Sequence, residues 1–535
     1  MKVIVTEQIA EDGVQYLIDK GFEVDTRIGI PHEELLGIIE NYDAIIVRSA
    51  TRVNDELLQR AKNLKVAGRA GNGIDNIDVP ACTRRGILVV NTPESNINAA
   101  AELAIGLAFS LFRNIPQAYC AGKAYNDFRR SKFTGNELDG KTVGVIGFGK
   151  IGAIVAKKLY GCNMRVVAYD PFVTDEKFKK LGIEKCETLE DLLKQSDLIT
   201  IHMPKTSETY NMIDEKELKQ CKKGVRIVNA ARGGLINEKA LYNAIQEGLV
   251  AGAALDVLEH EPNYEKKPEE QDFTNPLLEL DSVIYVPHLG ASTAEANYNV
   301  GTAVAELVAG ALNGEMVAAV NMPPMKTKDL TELKPYIDLA EMLGRIYYQA
   351  EKDTVQKIEI IYSGDLVDKE TDVLTLSVLK GFLDPIIKEK VNYVNAELML
   401  KNLGVELTES RSSQLDKYTN LLTVKFITKS KQMSVSGTIF AKEELRIVDF
   451  FGYKLDFEPS PYVIAVQNID KPGIIGRIGT TLGENNINIA AMQWSRSRKG
   501  EKAVSFVSVD GEISDQMLQL LKNTEGVLKV SRLRF

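Results

Sequence analysis

The chain has 535 residues, several times the length of a typical single domain, which predicts two to four domains. Its 65 Lys and Arg against 74 Asp and Glu give a formal charge of -9, which argues against a general polyanion binder. The five cysteines form no CxxC pair, and no apolar run approaches the roughly 20 residues of a membrane helix. We therefore expect a cytoplasmic protein without a metal site, a membrane contact or a nucleic-acid partner.

In the first hundred residues, short apolar runs such as KVIVT, YDAIIVRSA and GILVVNT alternate with helical stretches. This alternation is typical of βα units around a mostly parallel sheet. A long apolar helix follows near AAAELAIGLAFSLFRNI, and the alternation then starts again at KTVGVIGFGKIG. The sequence predicts two doubly wound α/β domains, one of residues 1–97 and 292–322 and one of residues 98–291.

Two prolines in NMPPM end this pattern, and long amphipathic helices with a strand-rich stretch predict an α+β domain at residues 323–456. A second break at FEPSPY precedes a tail at residues 457–535. Its order of strand, helix, strand, strand, helix, strand predicts a ferredoxin-like βαββαβ sandwich.

A glycine-rich turn opens the second α/β domain, between the run TVGVI and the helix IVAKKLY. It has the pattern GxGxxG and consists of Gly147, Phe148, Gly149, Lys150, Ile151 and Gly152. In this context glycines permit a tight turn, close approach of a pyrophosphate and contact of the helix with the strand. Asp170 ends the next strand, where a carboxylate accepts ribose hydroxyls. Because no Arg or Lys directly follows Asp170, we expect NAD rather than NADP.

Oxidation of a secondary alcohol with NAD needs a base near the nicotinamide and a cation that holds an acidic substrate. His288, in VPHLGAST, follows a predicted strand at its carboxyl end, where open α/β sheets bind ligands. Position alone makes it the best candidate base, with a purely structural role as an equal alternative. His202 ends another strand before Pro204 and is expected to line the cofactor crevice.

The strings NAARGGLINE, ALDVLEHEP and VPHLGAST, in this order after a mid-chain glycine turn, resemble the D-isomer-specific 2-hydroxyacid dehydrogenase family across roughly residues 1–322. The resemblance implies that Arg232 binds the carboxylate and the α-oxygen of the substrate and that His288 accepts the hydroxyl proton. It also implies that Glu261 forms a hydrogen bond with the other ring nitrogen of His288 and that Asp256 contacts the nicotinamide amide. The further cofactor positions that it implies are Met203, Pro204, Ala230, Ala231, Gly290 and Ala291.

Structural alternatives stand beside these roles: a helix cap for Arg232, a solvated loop charge for Glu261 and a turn for Asp256. The loop NYEKKPEEQDFTN is longer and more charged than in the family that the chain resembles. The geometry of the pair formed by Glu261 and His288 is therefore left open.

The strings RSATRVND, GRAGNGIDNID and RRGILVVNTPESN resemble the branch of this family that acts on 3-phosphoglycerate. The resemblance implies that the substrate contacts Arg48, Ser49, Arg69, Gly71, Asn72, Gly73 and Arg130. The N–H groups of the Gly71–Gly73 turn can cradle an anion. For Arg130, ordinary surface charge explains the sequence equally well.

The tail QNIDKPGIIGRIGTTLGENNINIAAMQ resembles an ACT domain, a module of amino-acid metabolism that often binds its ligand between two copies. The resemblance implies an amino-acid site at Asn468, Asp470 and Asn488, with L-serine as the expected effector. It also implies a homodimer or homotetramer. A purely structural, dimerising role is the alternative.

The expected activity is the oxidation of 3-phosphoglycerate by NAD to 3-phosphohydroxypyruvate, the entry to serine synthesis, with feedback by serine. One alternative is a reductase of glyoxylate or hydroxypyruvate, against which the two C-terminal domains argue. The other is an NAD-sensing transcriptional corepressor with the same core. The sequence has no Pro-, Ser- or Gln-rich tail of the kind such corepressors carry.

Overall fold

The computed structural model describes residues 1–262, 264, 266–324, 327–387, 391–413, 418–441, 443–498 and 500–535, with the backbone alone for residues 327–331. Four sheets, of five, seven, six and four strands, follow one another along these ranges. Within them, no helix has both the length and the apolar character that crossing a membrane requires.

The first sheet consists of β1 (Lys2–Val5), β2 (Glu23–Thr26), β3 (Ala44–Val47), β4 (Val66–Arg69) and β5 (Leu88–Asn91). Its connecting helices are α1 (Glu11–Asp19), α2 (His32–Ile38), α3 (Asp55–Arg60) and α4 (Val79–Arg84). All strands are parallel, in the order β2-β1-β3-β4-β5. The central strand β3 is buried along its whole length, as expected for a parallel sheet covered on both faces.

The apolar helix that the sequence predicted next is α5 (Ile97–Arg113), and a second helix, α6 (Ile115–Tyr125), follows it directly. Asn114 between them has a φ of 51°, and Pro116 lies in the first turn of α6. Proline cannot continue the hydrogen-bond ladder of a preceding helix, and Asn tolerates the left-handed conformation that a sharp change of direction needs.

The second sheet consists of β6 (Thr142–Ile146), β7 (Arg165–Tyr169), β8 (Glu184–Lys185), β9 (Leu198–Ile201), β10 (Val225–Asn229), β11 (Val250–Leu255) and β12 (Val283–Tyr285). Its helices are α7 (Lys150–Tyr160), α8 (Asp175–Leu181), α9 (Leu189–Gln195), α10 (Glu215–Gln220) and α11 (Glu238–Gln246). The parallel strands lie in the order β12-β11-β10-β9-β6-β7-β8. Since β7 and β9 pair with opposite sides of β6, a crevice opens at the carboxyl end of β6.

The helix α12 (Ala294–Leu312) follows the second sheet in sequence but packs against α1 and β4 of the first. A Cβ on Gly301 would lie 2.7 Å from the backbone nitrogen of Ala10. The absence of a side chain there lets α12 approach the start of α1 closely.

The third unit consists of α13 (Thr327–Ala350), β13 (Lys357–Gly364), α14 (Asp372–Leu383), α15 (Ala396–Asn402), β14 (Glu406–Ser412), β15 (Asn420–Ile427), β16 (Gln432–Phe440), β17 (Glu444–Phe450) and β18 (Tyr453–Phe457). Its sheet has the order β14-β13-β15-β16-β17-β18. The tail consists of β19 (Val463–Ile469), α16 (Ile474–Glu484), β20 (Ile489–Arg496), β21 (Lys502–Val509), α17 (Asp515–Lys522) and β22 (Val527–Leu533). Its antiparallel order β20-β21-β19-β22 is the ferredoxin-like arrangement, and the predicted fold class is confirmed.

The tail sheet is covered on both faces. The helices α16 and α17 pack on one face, around Ile478 and Leu521. The other face joins the core of the third unit, where the ring of Phe506 lies 4.9 Å from that of Phe450 and 5.0 Å from that of Phe457. The last two units therefore share one apolar core, which the sequence pattern did not predict.

Candidate active site

The glycine-rich turn lies between β6 and α7. Gly147 has a φ of +91°, and a Cβ there would lie 2.6 Å from the carbonyl oxygen of His202. A Cβ on Gly152 would lie 2.0 Å from the carbonyl oxygen of Gly147. A Cβ on Gly149, in contrast, would meet no atom within 4 Å. The fold thus requires glycine at two positions, whereas the third borders open space at the N-terminus of α7, where a pyrophosphate is stabilised.

We expect Gly149→Ala to weaken NAD binding about tenfold, because its methyl group would stand where the pyrophosphate approaches the backbone. The melting temperature should change by no more than about 1 °C, since the methyl group meets no protein atom. Gly152→Ala is the matched control and should lower the melting temperature by several degrees. NADH fluorescence and thermal unfolding measure the two effects. Equal destabilisation by both substitutions would contradict the conclusion that Gly149 serves the cofactor and Gly152 the fold.

Asp170 lies directly after β7 and is 8 % exposed. Its two carboxylate oxygens accept hydrogen bonds from the backbone nitrogens of Phe148, at 2.8 Å, and Phe172, at 2.9 Å. These bonds hold the carboxylate beside the glycine turn and leave lone pairs for ribose hydroxyls. Lys177 donates to the carbonyl oxygen of Phe148 at 2.8 Å. Lys177 lies on α8, beyond the positions directly after Asp170 on which the sequence-based prediction rested.

Met203 and Pro204 follow β9 at the crevice. A Cβ on Gly147 would lie 3.0 Å from the sulfur of Met203, so this side chain borders the glycine turn. The carbonyl oxygen of Pro204 accepts a hydrogen bond from Thr209 Oγ1 at 2.6 Å. Both predicted positions therefore lie at the switch point of the sheet.

Ala230 and Ala231 follow β10, and the buried Asn229 fixes this segment. Its Oδ1 accepts from the backbone nitrogen of Ala231 at 3.1 Å, and its Nδ2 donates to the carbonyl oxygen of Arg232 at 2.9 Å. The sequence interpretation missed Asn229. A polar residue that ends a buried strand was the available signal.

His202 Nε2 forms a hydrogen bond with Thr200 Oγ1 at 2.9 Å. Burial lowers the pKa of His202 to about 4. The imidazole is therefore neutral at pH 7, and it must gain a proton when the protein unfolds in mild acid.

The unfolded histidine has the higher pKa, so His202 makes the folded state less stable as the pH falls below about 6.5, down to its folded pKa. We expect this contribution to lower the free energy of unfolding by about 2 kcal/mol between pH 7 and pH 5. His202→Asn should lose less stability over that interval than the wild-type protein. Urea unfolding at both pH values measures the difference, and His32→Asn, at a half-buried position on the first domain, is the control. Parallel pH dependence in all three proteins would refute the assignment.

Asp256 follows β11 and is almost fully buried. Its carboxylate accepts hydrogen bonds from the backbone nitrogens of Leu289, at 2.5 Å, and Gly290, at 3.0 Å. Burial raises the pKa of Asp256. The residue thus holds the turn that carries Gly290 and Ala291, whereas its contact with a nicotinamide amide stays a prediction.

His288 lies three residues after β12 and has a φ of +53°. Its backbone nitrogen donates to the carbonyl oxygen of Asp256 at 3.0 Å. Its ring Nδ1 forms a hydrogen bond with a carboxylate oxygen of Glu261 at 3.1 Å. The structure therefore brings this predicted pair together across the long charged loop, of which residues 263 and 265 lie outside the described residues. With Nδ1 engaged, Nε2 is the nitrogen available to a substrate hydroxyl.

Three guanidinium groups converge where the two α/β sheets face each other. Burial lowers the pKa of Arg69 to about 10, and the charges of Arg48 and Arg232 act in the same direction. Arg232 Nε lies 3.6 Å from a carboxylate oxygen of Asp75, and a Cβ on Gly73 would lie 2.5 Å from Arg232 Nη2. We call Arg48, Arg69 and Arg232 the guanidinium cluster. A bound anion would offset the mutual repulsion of its members.

The other predicted substrate residues divide into two groups. Ser49, Gly71, Asn72 and Gly73 lie in the loops that follow β3 and β4, beside the guanidinium cluster. Arg130 is exposed in a short turn beyond α6, and the described part of the chain shows no contact between it and the cluster. The structure of one chain thus places the first group beside the guanidinium cluster, whereas a substrate contact by Arg130 stays a prediction.

The predicted effector residues lie at both ends of the tail sheet. Asn468 is fully buried, and its Oδ1 has no hydrogen-bond partner among the described residues. Asp470 accepts from the backbone nitrogen of Gly500 at 3.0 Å. Asn488 donates to Asp510 at 2.7 Å and directly precedes β20. The opposite end of β20, at Arg496, pairs with Ala503 of β21, the residue that also pairs with Asn468. One chain therefore does not bring Asn488 next to the other two residues.

Three family models match the chain. Residues 105–290 match the NAD binding domain of the D-isomer specific 2-hydroxyacid dehydrogenases. Residues 332–451 match the D-3-phosphoglycerate dehydrogenase intervening domain, and residues 462–526 match the ACT domain. The expected NAD cofactor and the ACT domain are confirmed.

The chain is 41% identical over 532 residues to the D-3-phosphoglycerate dehydrogenase of Methanocaldococcus jannaschii, with 99% of each chain covered. It is 38% identical to that of Bacillus subtilis, with 99% of this chain and 98% of the relative covered. Among solved structures, a glyoxylate reductase from Paecilomyes thermophila covers 60% of this chain and 98% of its own, with a TM-score of 0.53 and 29% identity. A D-lactate dehydrogenase from Treponema pallidum covers 60% of this chain and 99% of its own, with a TM-score of 0.52 and 27% identity. The chain is thus an NAD-dependent oxidoreductase and belongs to the D-3-phosphoglycerate dehydrogenases of the D-isomer-specific 2-hydroxyacid dehydrogenase family.

Proposed function

We propose that the protein oxidises 3-phosphoglycerate to 3-phosphohydroxypyruvate, the first step of serine synthesis, and that L-serine regulates it through the ACT domain. The observation that carries the substrate assignment is that Arg48 and Arg69 of the first sheet converge with Arg232, which lies at the carboxyl edge of the second sheet, the edge that also carries His288 and Glu261. A substrate with a carboxylate at one end and a phosphate at the other suits several cations. The relatives that share the whole length of the chain bear the matching name.

In the proposed reaction Arg232 binds the carboxylate and the α-oxygen of the substrate, so the C–H bond is oriented toward the cofactor. His288 accepts the hydroxyl proton at Nε2, and the carboxylate of Glu261 stabilises the imidazolium that forms. Bound NAD supplies the hydride acceptor. Asn229 keeps Arg232 in place through its bond to the Arg232 carbonyl.

A spectrophotometric NADH assay tests the substrate assignment across 3-phosphoglycerate, glycerate, lactate and 2-oxoglutarate. We expect kcat/KM for 3-phosphoglycerate to exceed that for glycerate by about two orders of magnitude, the effect of one buried charge-assisted contact. Faster reduction of glyoxylate or hydroxypyruvate than oxidation of 3-phosphoglycerate would favour the reductase. No turnover despite tight NADH binding would favour the corepressor.

Arg48→Ala should raise KM for 3-phosphoglycerate about tenfold and leave KM for glycerate nearly unchanged, because we assign this side chain to the phosphate. Arg52→Ala removes an exposed arginine from the same loop and is the matched control. The same rise in KM for both substrates would remove Arg48 from the phosphate site.

We place the serine site between two copies of the tail, since Asn488 lies far from Asn468 and Asp470 within one chain. The unpartnered Oδ1 of Asn468 offers a buried acceptor, and Asp470 offers a carboxylate for an ammonium group. Binding at such an interface would bias closure of the distant α/β domains, and linkage requires substrate and serine to affect each other's affinity equally.

Calorimetry with L-serine tests the effector assignment. Truncation at residue 457 is unsuitable, because the tail shares its core with the third unit. Asp470→Asn should instead weaken serine inhibition at least about tenfold and leave the uninhibited rate unchanged. Asn485→Ala, at an exposed helix end, is the control. Absence of serine binding up to the millimolar range would leave the tail a structural dimeriser or a receptor for another amino acid.

The proposed homodimer or homotetramer has a candidate contact surface on α5, α6 and the segment after them. Large apolar side chains are exposed there: Phe109, Ile115, Tyr119, Tyr125 and Phe128. Clustered exposed aromatic residues are typical of protein interfaces. Light scattering at micromolar concentration measures the assembly, and a mass of 59.2 kDa, that of one chain, would exclude it.

A further inference from the structure

Glu7 lies two residues after β1, at the edge of the first sheet that carries Arg48 and Arg69. Its carboxylate accepts hydrogen bonds from four consecutive backbone nitrogens. The donors are Arg48 at 2.8 Å and Thr51 at 2.9 Å to one oxygen, and Ser49 and Ala50 at 3.0 Å each to the other. Successive N–H groups of this kind form an anion-binding concavity. In this protein the concavity is filled by a carboxylate of the same chain.

Two further side chains hold the loop of residues 48–51. Asn76 Nδ2 donates to the carbonyl oxygens of Arg48, at 2.9 Å, and Thr51, at 2.6 Å. Thr6 Oγ1 forms a hydrogen bond with Thr51 Oγ1 at 2.9 Å. The backbone from which the Arg48 side chain extends is therefore fixed on both its N–H and its carbonyl sides.

Glu7 also acts on the guanidinium cluster electrostatically. Burial and the charges of Arg48 and Arg232 lower the pKa of Arg69. The negative charges of Glu7 and Asp75 act in the opposite direction and raise it. The three guanidinium groups and the two carboxylates leave a net charge of +1 before substrate binds. The cluster thus stays attractive to an anion while its members tolerate one another.

We propose that Glu7 is a positioning residue for the substrate. By occupying the N–H concavity, it fixes the loop of residues 48–51 and directs the substrate's anionic group to the side chains of Arg48 and Arg69 instead of to the loop backbone. This inference rests on the proposed function, in which those side chains bind the phosphate. Glu7 itself contacts no substrate atom.

The test compares Glu7→Gln and Glu7→Asp with Glu11→Gln, which removes the same charge from an exposed position in the first turn of α1. The amide group of Gln presents N–H where the loop needs an acceptor, so we expect KM for 3-phosphoglycerate to rise about tenfold in Glu7→Gln. The values of kcat and KM for NAD should stay within about twofold. Glu7→Asp, which keeps both oxygens, should recover part of the loss. Glu11→Gln should match the wild-type protein.

A second measurement does not depend on the substrate. Amide hydrogen exchange across residues 48–51 should be faster in Glu7→Gln than in Glu11→Gln, because two of the four N–H groups lose their acceptor. Unchanged exchange would overturn the proposal, and so would equal proportional changes in KM for the substrate, KM for NAD and kcat. Faster exchange in a protein that does not oxidise 3-phosphoglycerate would overturn only the proposed substrate. The comparison of KM is then made with the hydroxy acid that the protein oxidises.

Discussion

Replacing His288 by Asn will lower turnover about a hundredfold or more and change the dissociation constant of NAD less than about threefold, the result expected when a positioned acid/base is lost. Asn is the suitable replacement because the backbone of residue 288 has a φ of +53°, which Asn tolerates better than Ala. The two hydrogen bonds of the His288 backbone nitrogen, to Asp256 and Val286, are then preserved. The loss can therefore be attributed to the imidazole. Steady-state kinetics with NADH binding in parallel provides the measurement.

The matched control is His260→Asn, on the exposed segment one residue before Glu261. It removes an imidazole from the same loop without touching the pair formed by Glu261 and His288. We expect its turnover to stay within about twofold of the wild-type value. If both variants lost activity equally, the loop as a whole would be responsible, and His288 would not be the base.

Replacing Arg232 by Lys will lower kcat/KM about a hundredfold, which corresponds to about 2.7 kcal/mol of transition-state stabilisation. A lysine keeps the positive charge but cannot bind the carboxylate and the α-oxygen through two parallel N–H groups. Arg232 also lies close to the first α/β domain: its Nε is 3.6 Å from a carboxylate oxygen of Asp75, and a Cβ on Gly73 would lie 2.5 Å from its Nη2. Thermal unfolding should be little changed, because the bonds of Asn229 to the backbone of Ala231 and Arg232 are kept. The substitution removes the bond that Arg232 Nη1 donates to the carbonyl oxygen of Ala231 at 2.7 Å.

Arg226→Lys is the control for this substitution. Arg226 lies on β10, six positions earlier, where its guanidinium stacks 4.5 Å from the ring centre of Phe112 and donates to Asn136 at 2.7 Å. The control should lower stability more than activity, because its contacts are structural. Near-normal kcat/KM in Arg232→Lys, for any substrate that the protein oxidises, would show that charge alone is needed at that position.

Sequence periodicity was sufficient to predict both parallel α/β sheets and the ferredoxin-like tail. A buried parallel strand such as β3 needs a continuous apolar run, and the turn at Gly147–Gly152 needs small residues at fixed spacing. These are local requirements. The pattern also located His288, because the carboxyl ends of parallel strands always meet at one edge.

The pairing of charged residues could not be predicted from spacing, because it depends on which strand ends become neighbours. The acid that bonds to residues 48–51 lies 41 positions or more before them, and Lys177 contacts the glycine turn from α8, the helix that follows β7. The shared core of the last two units could not be predicted for the same reason: the strand and helix order of the tail does not show which element covers the second face of its sheet.

By itself, then, the sequence determined the fold class, the cofactor turn and the residue types available for chemistry, since these depend on local periodicity and on side-chain identity. The tertiary structure decided which of those residues lie together. It placed Glu261 against His288, gathered the guanidinium cluster between two sheets and put Glu7 in the N–H concavity that an anion would fill. It also separated Asn488 from Asn468 within one chain. The reason is physical: contacts between distant segments depend on strand order and helix packing, which no single stretch of sequence encodes.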